Sequence, residues 1–301
     1  MRRTRCNDYF RRMTKILVLG ANGQLGRALQ RIPDLKHAEF FDRRAVDLSR
    51  LDDLTRTLES KSFDVLVNAA AYTAVDKAEA ESELAFIVNG DAPAKLAEIC
   101  EKKGAAMIHV STDYVFGDTR PEPLAETHPT EPYNVYGRSK LRGEELVRKH
   151  CPRHLIIRTA WLYGPVDHNF VRTMLRLGAE RDELKVVYDQ VGAPTNVRDL
   201  AEVVAKLALS FPKEESLWGT YHYANAGVCS WYDVAHAIFE LSGMRVNLKP
   251  VRSIEFPTPA KRPPYSVLDT DKIVRNFAVK IRHWRAALRD CLDEIKSGEN
   301  D

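Results

Sequence analysis

A chain of 301 residues is long enough for one large α/β unit, or for a core domain with a smaller lobe. Its net charge of +3, from 45 basic against 42 acidic residues, is too balanced for a nucleic-acid-binding protein, which needs a strongly basic face. No apolar run approaches the ~20 residues that cross a bilayer. Five scattered cysteines (Cys6, Cys100, Cys151, Cys229, Cys291) contain no C-x-x-C, which argues against a disulfide framework or zinc site and for a reducing cytosol.

Residues 1–13 stand apart. Arg2, Arg3, Arg5, Arg11 and Arg12 crowd a stretch of little apolar content, and the apolar segment that a twin-arginine signal requires does not follow. The expectation is a disordered tail, or an upstream start with Met13 as the natural one. From Lys15 onward, strand-like and helix-like stretches alternate. Ile16–Leu19 is a short apolar run that ends at Gly20, and 23–31 reads as a helix. Glu39–Phe41 and 64–67 read as strands with a helix at 51–58 between them, and the second enters Asn68-Ala69-Ala70-Ala71. A long helix is expected over 85–100, a strand over 106–110 that stops at Ser111-Thr112-Asp113, and a further strand at 155–157. Short apolar runs without polar alternation suit strands buried on both faces, so the fold class is α/β, a Rossmann-type doubly wound parallel sheet. In such sheets ligands bind outside the carboxyl ends of the strands, where each of these polar clusters falls.

Beyond Gly164 the pattern loosens and prolines gather between Pro250 and Pro264, although 200–209 and 232–241 still read as helices. The expected division is a dinucleotide-binding domain over 14–164, joined by part of 187–223, and a smaller, interleaved substrate lobe from 165–186 and 224–301.

Gly20-Ala21-Asn22-Gly23-Gln24-Leu25-Gly26 follows the first strand and opens the first helix. Glycines there permit a tight turn and let a pyrophosphate approach the backbone amides at the positive helix N-terminus. The strand–turn–helix context raises this above a bare glycine pattern. Asp42 closes the second strand, in the place of a ribose-binding carboxylate, and Arg43 follows it, suited to a 2′-phosphate. Both NADPH and NADH are therefore candidate cofactors. Asp47 and Leu48, a little further on, are candidates to border the adenine.

Tyr136 and Lys140 lie four residues apart on one predicted helix face. A tyrosine pKa of about 10 is too high for easy proton exchange at neutral pH, and a neighbouring ammonium is expected to lower it. The phenol then becomes a usable general acid. Thr112, at the end of a buried strand, offers a hydroxyl to a carbonyl oxygen.

Through Gly20-x-x-Gly23-x-x-Gly26, Ser111-Thr112-Asp113 and Tyr136-x-x-x-Lys140 the chain resembles the extended short-chain dehydrogenase/reductase superfamily. Within it, the chain resembles the dTDP-4-dehydrorhamnose reductase family through the segments 68–77, 110–116, 134–140, 158–161, 189–195 and 257–263, which span almost everything after Met13. The resemblance implies NAD(P)H-dependent reduction of the C4 carbonyl of dTDP-4-dehydro-L-rhamnose, for cell-surface polysaccharide synthesis. It implies that Tyr136 donates the proton to O4, that Thr112 holds that oxygen, and that Lys140 binds the nicotinamide ribose. Asn89 would complete a hydrogen-bond relay in the cofactor site. Gly23, Gln24 and Leu25 would border the pyrophosphate, and Ala71, Tyr72 and Thr73 would line the cofactor path. Val75, Asp76, Lys77, Asp113 and Trp161 are implied substrate-side positions, and Arg262 a partner for the nucleotide diphosphate. Some members of this family dimerise around magnesium held by carboxylates, one of them on the first helix. The matching position here is Ala28, which puts the metal-bridged form in doubt and leaves a homodimer open.

Two other readings stand beside this one. A nucleotide-sugar epimerase or dehydratase shares the fold, but a dehydratase usually places a glutamate after the aspartate, where this chain has Tyr114. A non-catalytic regulatory subunit, like the relative that serves methionine adenosyltransferase, is compatible with an intact Thr112, Tyr136 and Lys140.

Overall fold

Ile16–Leu19, Val65–Asn68 and His154–Thr159 are buried at every position, as strands covered on both faces must be. They belong to a computed structural model that describes residues 14–117, 121–166 and 168–298. The expectation for residues 1–13 lies outside the described residues. The first half contains β1 (Ile16–Leu19), α1 (Gln24–Gln30), β2 (Glu39–Phe41), α2 (Leu51–Glu59), β3 (Val65–Asn68), α3 (Val75–Ala78), α4 (Ser82–Phe86), α5 (Ala92–Lys103) and β4 (Ala106–Thr112). Then come α6 (Val135–His150), β5 (His154–Thr159), β6 (Leu162–Tyr163), α7 (Phe170–Glu180), β7 (Glu183–Val187), β8 (Val191–Gly192), β9 (Thr195–Asn196) and α8 (Val197–Leu209). The remainder is β10 (Gly219–His222), β11 (Cys229–Ser230), α9 (Trp231–Ser242), β12 (Asn247–Val251), α10 (Asp271–Phe277) and α11 (Trp284–Ser297).

Six strands form one parallel sheet in the order β10-β5-β4-β3-β1-β2. Successive strand residues point to opposite faces, so Ile16 and Val18 pack with α1 and α8, whereas Leu17 and Leu19 pack with α2 and α5. The result is the doubly wound architecture read from the sequence. The strand order reverses between β1 and β3, which is where such sheets open a ligand crevice. A separate apolar cluster joins residues of α7, β7, α9 and α11. Ile273 of α10 and Val279 pack instead with the large sheet, so 224–301 is not confined to the smaller lobe.

One expected element is interrupted. The helix over 85–100 is split by a π turn at Ile87–Asp91 between α4 and α5. Pro93 lacks the N–H that would close an α-helical bond to the Asn89 carbonyl. On the same turn, the Asn89 side chain bonds outside the helix, to Tyr72 and Ser139. No helix among the described residues is long and apolar enough to cross a membrane.

Candidate active site

A cleft of about 910 Å³ is lined by the glycine turn after β1, by the ends of β3, β4 and β5, and by Trp231 at the start of α9. In its wall Gly20 takes φ +88°, and a Cβ there would lie 2.8 Å from Ala70 N. A Cβ on Gly26 would lie 2.1 Å from Gly20 O, so the turn closes on α1 only with glycine at both places. No side chain caps α1, and Gly23, Gln24 and Leu25 line the cleft there. That open first turn fits a phosphate group. Leu48 lines the cleft with Val46 and Val88, an apolar slot of the kind that suits a flat base.

The loop after β2 differs from the expectation for its carboxylate. Asp42 Oδ1 accepts from the N–H groups of Arg44 and Ala45, and Oδ2 accepts from Asn22 Nδ2, each at 3.0 Å. Asp42 thus buckles its own loop and is absent from the cleft wall, while Asn22 takes a place there. Arg43 and Asp47 do line the cleft, joined Nε to Oδ2 at 3.3 Å. Asn89 lies behind the wall. Its Oδ1 accepts from Tyr72 N–H at 2.8 Å, and its Nδ2 donates to Tyr72 O and Ser139 Oγ, both at 3.0 Å. It therefore positions the Ala71–Thr73 strip, which forms the wall, and makes no wall contact itself.

The three residues expected to form a reaction centre meet where the end of β4 faces the first turns of α6. Asn134 caps α6 by accepting from Gly137 N–H at 2.7 Å, which fixes the turn that carries Tyr136. The Thr112 hydroxyl lies near enough to the Tyr136 phenol to favour its ionised form, and the Tyr136 ring meets Tyr114 edge-on. Burial pushes the Tyr136 phenol up to about 12, against the opposing influence of the Thr112 hydroxyl. This overturns the expectation that Lys140 lowers it. Lys140 Nζ turns instead to Val110 O, at 2.7 Å, and desolvation dominates. Burial also brings Lys140 down to about 8, opposed by Glu144.

Val75, Lys77, Asp113 and Trp161 line the cleft. Burial raises the Asp113 carboxyl to about 6, against hydrogen bonds from Ser266 and Thr112. Asp76 and Arg262 do not reach the wall. They pair with each other in bidentate geometry, at 3.0 and 2.8 Å, and the Arg262 hydrogen bond holds Asp76 below the usual carboxylate range. The diphosphate role expected for Arg262 would require that pair to open.

Several residues escaped sequence reasoning. Trp231 stacks on Trp161 with 3.7 Å between centroids and an interplanar angle of 10°. Its signal was the capping box Ser230-x-x-Asp233, which starts α9 at Trp231. Trp161 itself sits at φ +49°, a rare conformation for a bulky side chain and one that clusters at functional sites. Beneath the centre, Glu144 accepts from Arg158 at 2.9 and 2.7 Å and from Ser111 at 2.6 Å. An arginine inside the buried run Leu155-Ile156-Ile157-Arg158 was the signal that a carboxylate must meet it. Ala28, on α1, is buried against α8 and offers no metal ligand. No cluster of three or more His, Cys, Asp or Glu able to hold a metal occurs among the described residues.

The profile of the RmlD substrate binding domain matches residues 13–297. The spore coat polysaccharide biosynthesis protein SpsK of Bacillus subtilis is 40% identical over 289 residues, covering 95% of this chain and 99% of the relative. The dTDP-4-dehydrorhamnose reductase of Escherichia coli K12 is 40% identical over 294 residues, covering 93% and 97%. The crystal structure of the Bacillus anthracis dTDP-4-dehydrorhamnose reductase in complex with NADP aligns with a TM-score of 0.88 at 38% identity, covering 93% of this chain and 99% of that one. Agreement of this depth along nearly the whole length of each chain means that this protein belongs to the RmlD substrate binding domain family, as a relative of the dTDP-4-dehydrorhamnose reductases.

Proposed function

We propose that the chain reduces the C4 carbonyl of dTDP-4-dehydro-L-rhamnose to give dTDP-L-rhamnose, with NADPH or NADH, for cell-surface polysaccharide synthesis. The observation that carries this reading is that Thr112, Tyr136 and Lys140 line one cleft together with the glycine turn. The glycine turn and the Trp161–Trp231 stack line that same cleft. Residues 14–164, with α8 and β10, would hold the cofactor, and most of the remainder would cover the sugar nucleotide.

The reduced nicotinamide, when bound, supplies a hydride to C4. Thr112 would hold O4 and Tyr136 would give it the phenolic proton, at about 2.6–3.2 Å between heavy atoms. The carbonyl thereby becomes a secondary alcohol, and the proton lost from Tyr136 is replaced from solvent. Lys140 would hold the nicotinamide ribose, and Lys77 is a cation near the substrate phosphates. A homodimer of this chain would be built without a metal ligand at position 28.

The direct test is incubation with fresh substrate and each cofactor, with dTDP-L-rhamnose sought by mass spectrometry. Absence of product with both cofactors would sink this reading and favour the non-catalytic one. In the same assay Trp161→Ala should raise KM for the nucleotide sugar roughly tenfold, the equivalent of ~1.4 kcal/mol, and leave KM for the cofactor unchanged. An equal rise in both constants would remove Trp161 from the substrate side.

Cofactor choice has its own test. Arg43 can exchange its Asp47 contact for a 2′-phosphate, and a charge-assisted hydrogen bond is worth about 1.5–3 kcal/mol. Arg43→Ala should therefore raise KM for NADPH roughly tenfold or more, and leave NADH nearly unchanged. Equal losses with the two cofactors would show that Arg43 does not read the phosphate.

A further inference from the structure

A buried polar chain lies beneath the reaction centre, and the steps above use only its last member. Ala70 N–H donates to Asn68 Oδ1 at 3.2 Å. That bond orients the amide, so the Asn68 Nδ2–H points at His109 Nδ1, 3.1 Å away. Burial holds His109 well below the ordinary imidazole pKa, so the ring is neutral. A neutral imidazole carries one proton. Because Nδ1 accepts, the proton sits on Nε2. His109 Nε2 faces Lys140 Nζ at 3.5 Å. An ammonium has no lone pair to receive an N–H, whereas a neutral amine does.

The groups around Lys140 point the same way. From α6, Tyr136 presents a protonated phenol, and Glu144 has its oxygens taken by Arg158, Ser111 and Arg148. From β5, Arg158 is neutralised by that same glutamate. Beyond β4, Asp113 accepts from Thr112. Among the described residues no carboxylate pairs with Nζ, and its remaining bond is the donation to Val110 O. A buried ammonium with one backbone acceptor is poorly satisfied.

We propose that His109, its tautomer set by Asn68, donates its Nε2–H to the side-chain amine of Lys140, so that the cofactor-free protein stabilises the neutral lysine and binding of the nicotinamide cofactor draws a proton from solvent onto it. His109 is then a positioning residue that tunes Lys140 from behind. The inference rests on the reading that a nicotinamide cofactor occupies this cleft, whose ribose oxygens would supply the acceptors that the pocket lacks.

A long-range proton–nitrogen correlation spectrum of the cofactor-free protein reads the tautomer directly, and His109→Gln identifies the signal. Sequential connectivity assigns the same signal on the wild type, so the outcome does not depend on whether the variant folds. The proton is expected on Nε2; finding it on Nδ1 overturns the proposal. Calorimetry of NADH binding in buffers of different ionisation enthalpy counts the protons taken up, and NADH avoids titration of a 2′-phosphate. Burial sets Lys140 at about 8, so below that pH the lysine is already charged and has little to gain. Uptake should be near zero at about pH 6.5 and a large fraction of a proton at about pH 9. It should vanish in Lys140→Met and fall at least twofold in Asn68→Ala, which releases the tautomer. NADH binding at about pH 9 with no uptake overturns the proposal and leaves the cofactor reading intact. If neither NADH nor NADPH binds, the cofactor reading fails, and the proposal fails with it.

Discussion

Tyr136→Phe is expected to lower kcat by roughly 10²–10⁴-fold, the scale of a lost general acid. The substitution removes one oxygen from a ring that packs among Ala78, Ala85 and Val135 and meets Tyr114 edge-on, so the fold should persist. The affinity for the cofactor should persist as well, because Lys140 and the glycine turn are untouched. The phenol is a better acid store than the sequence suggested. Its pKa is raised to about 12, so it stays protonated through the neutral range and its own ionisation begins only in strong alkali. Any alkaline loss nearer neutrality should therefore appear in kcat/KM for the cofactor, where Lys140 of the free protein titrates at about 8. Steady-state kinetics on the purified variant, with cofactor affinity measured separately, checks both points. A kcat near that of the wild type would remove Tyr136 from the reaction.

Glu144→Ala should cost the most in stability. Glu144 and Arg158 are both buried and joined by two hydrogen bonds, and Ser111 and Arg148 complete the carboxylate. Desolvation by itself would raise the Glu144 pKa, but the charge and hydrogen bond of Arg158, with Ser111, hold it below the usual carboxylate value. Removing the glutamate leaves the guanidinium over the Phe116 ring with no carboxylate, in a place that water does not reach freely. Breaking a buried pair in this way typically costs about 3–5 kcal/mol, because an uncompensated charge remains. Replacing both partners, as in Glu144→Leu with Arg158→Met, should recover most of that loss. Denaturant unfolding measures each variant. A loss below about 1 kcal/mol for Glu144→Ala would mean that water enters to solvate Arg158.

The parts of this protein determined by sequence alone are those settled within a few residues. Ile16–Leu19 and Leu155-Ile156-Ile157 are strands because continuous apolar runs must be covered on both faces. Gly20 and Gly26 form the turn because of what a Cβ would strike, and Tyr136 and Lys140 share a face because of the helical repeat. Tertiary packing decided the partners. Asp42 was legible as a carboxylate at a strand end, but its oxygens go to its own loop and to Asn22. Asp76 and Arg262 were both read as substrate groups, yet 186 positions of chain fold back to pair them with each other. Trp161 could be placed at a strand end, but its stacking on Trp231 needs α9 to arrive from the other lobe. Lys140 was placed beside Tyr136, and only the packing of α6 on β4 turns its amine to Val110 and His109. A local pattern specifies which groups a residue can bond, whereas desolvation and the few ångströms that separate distant segments select the bond that forms, and those distances exist only in the folded chain.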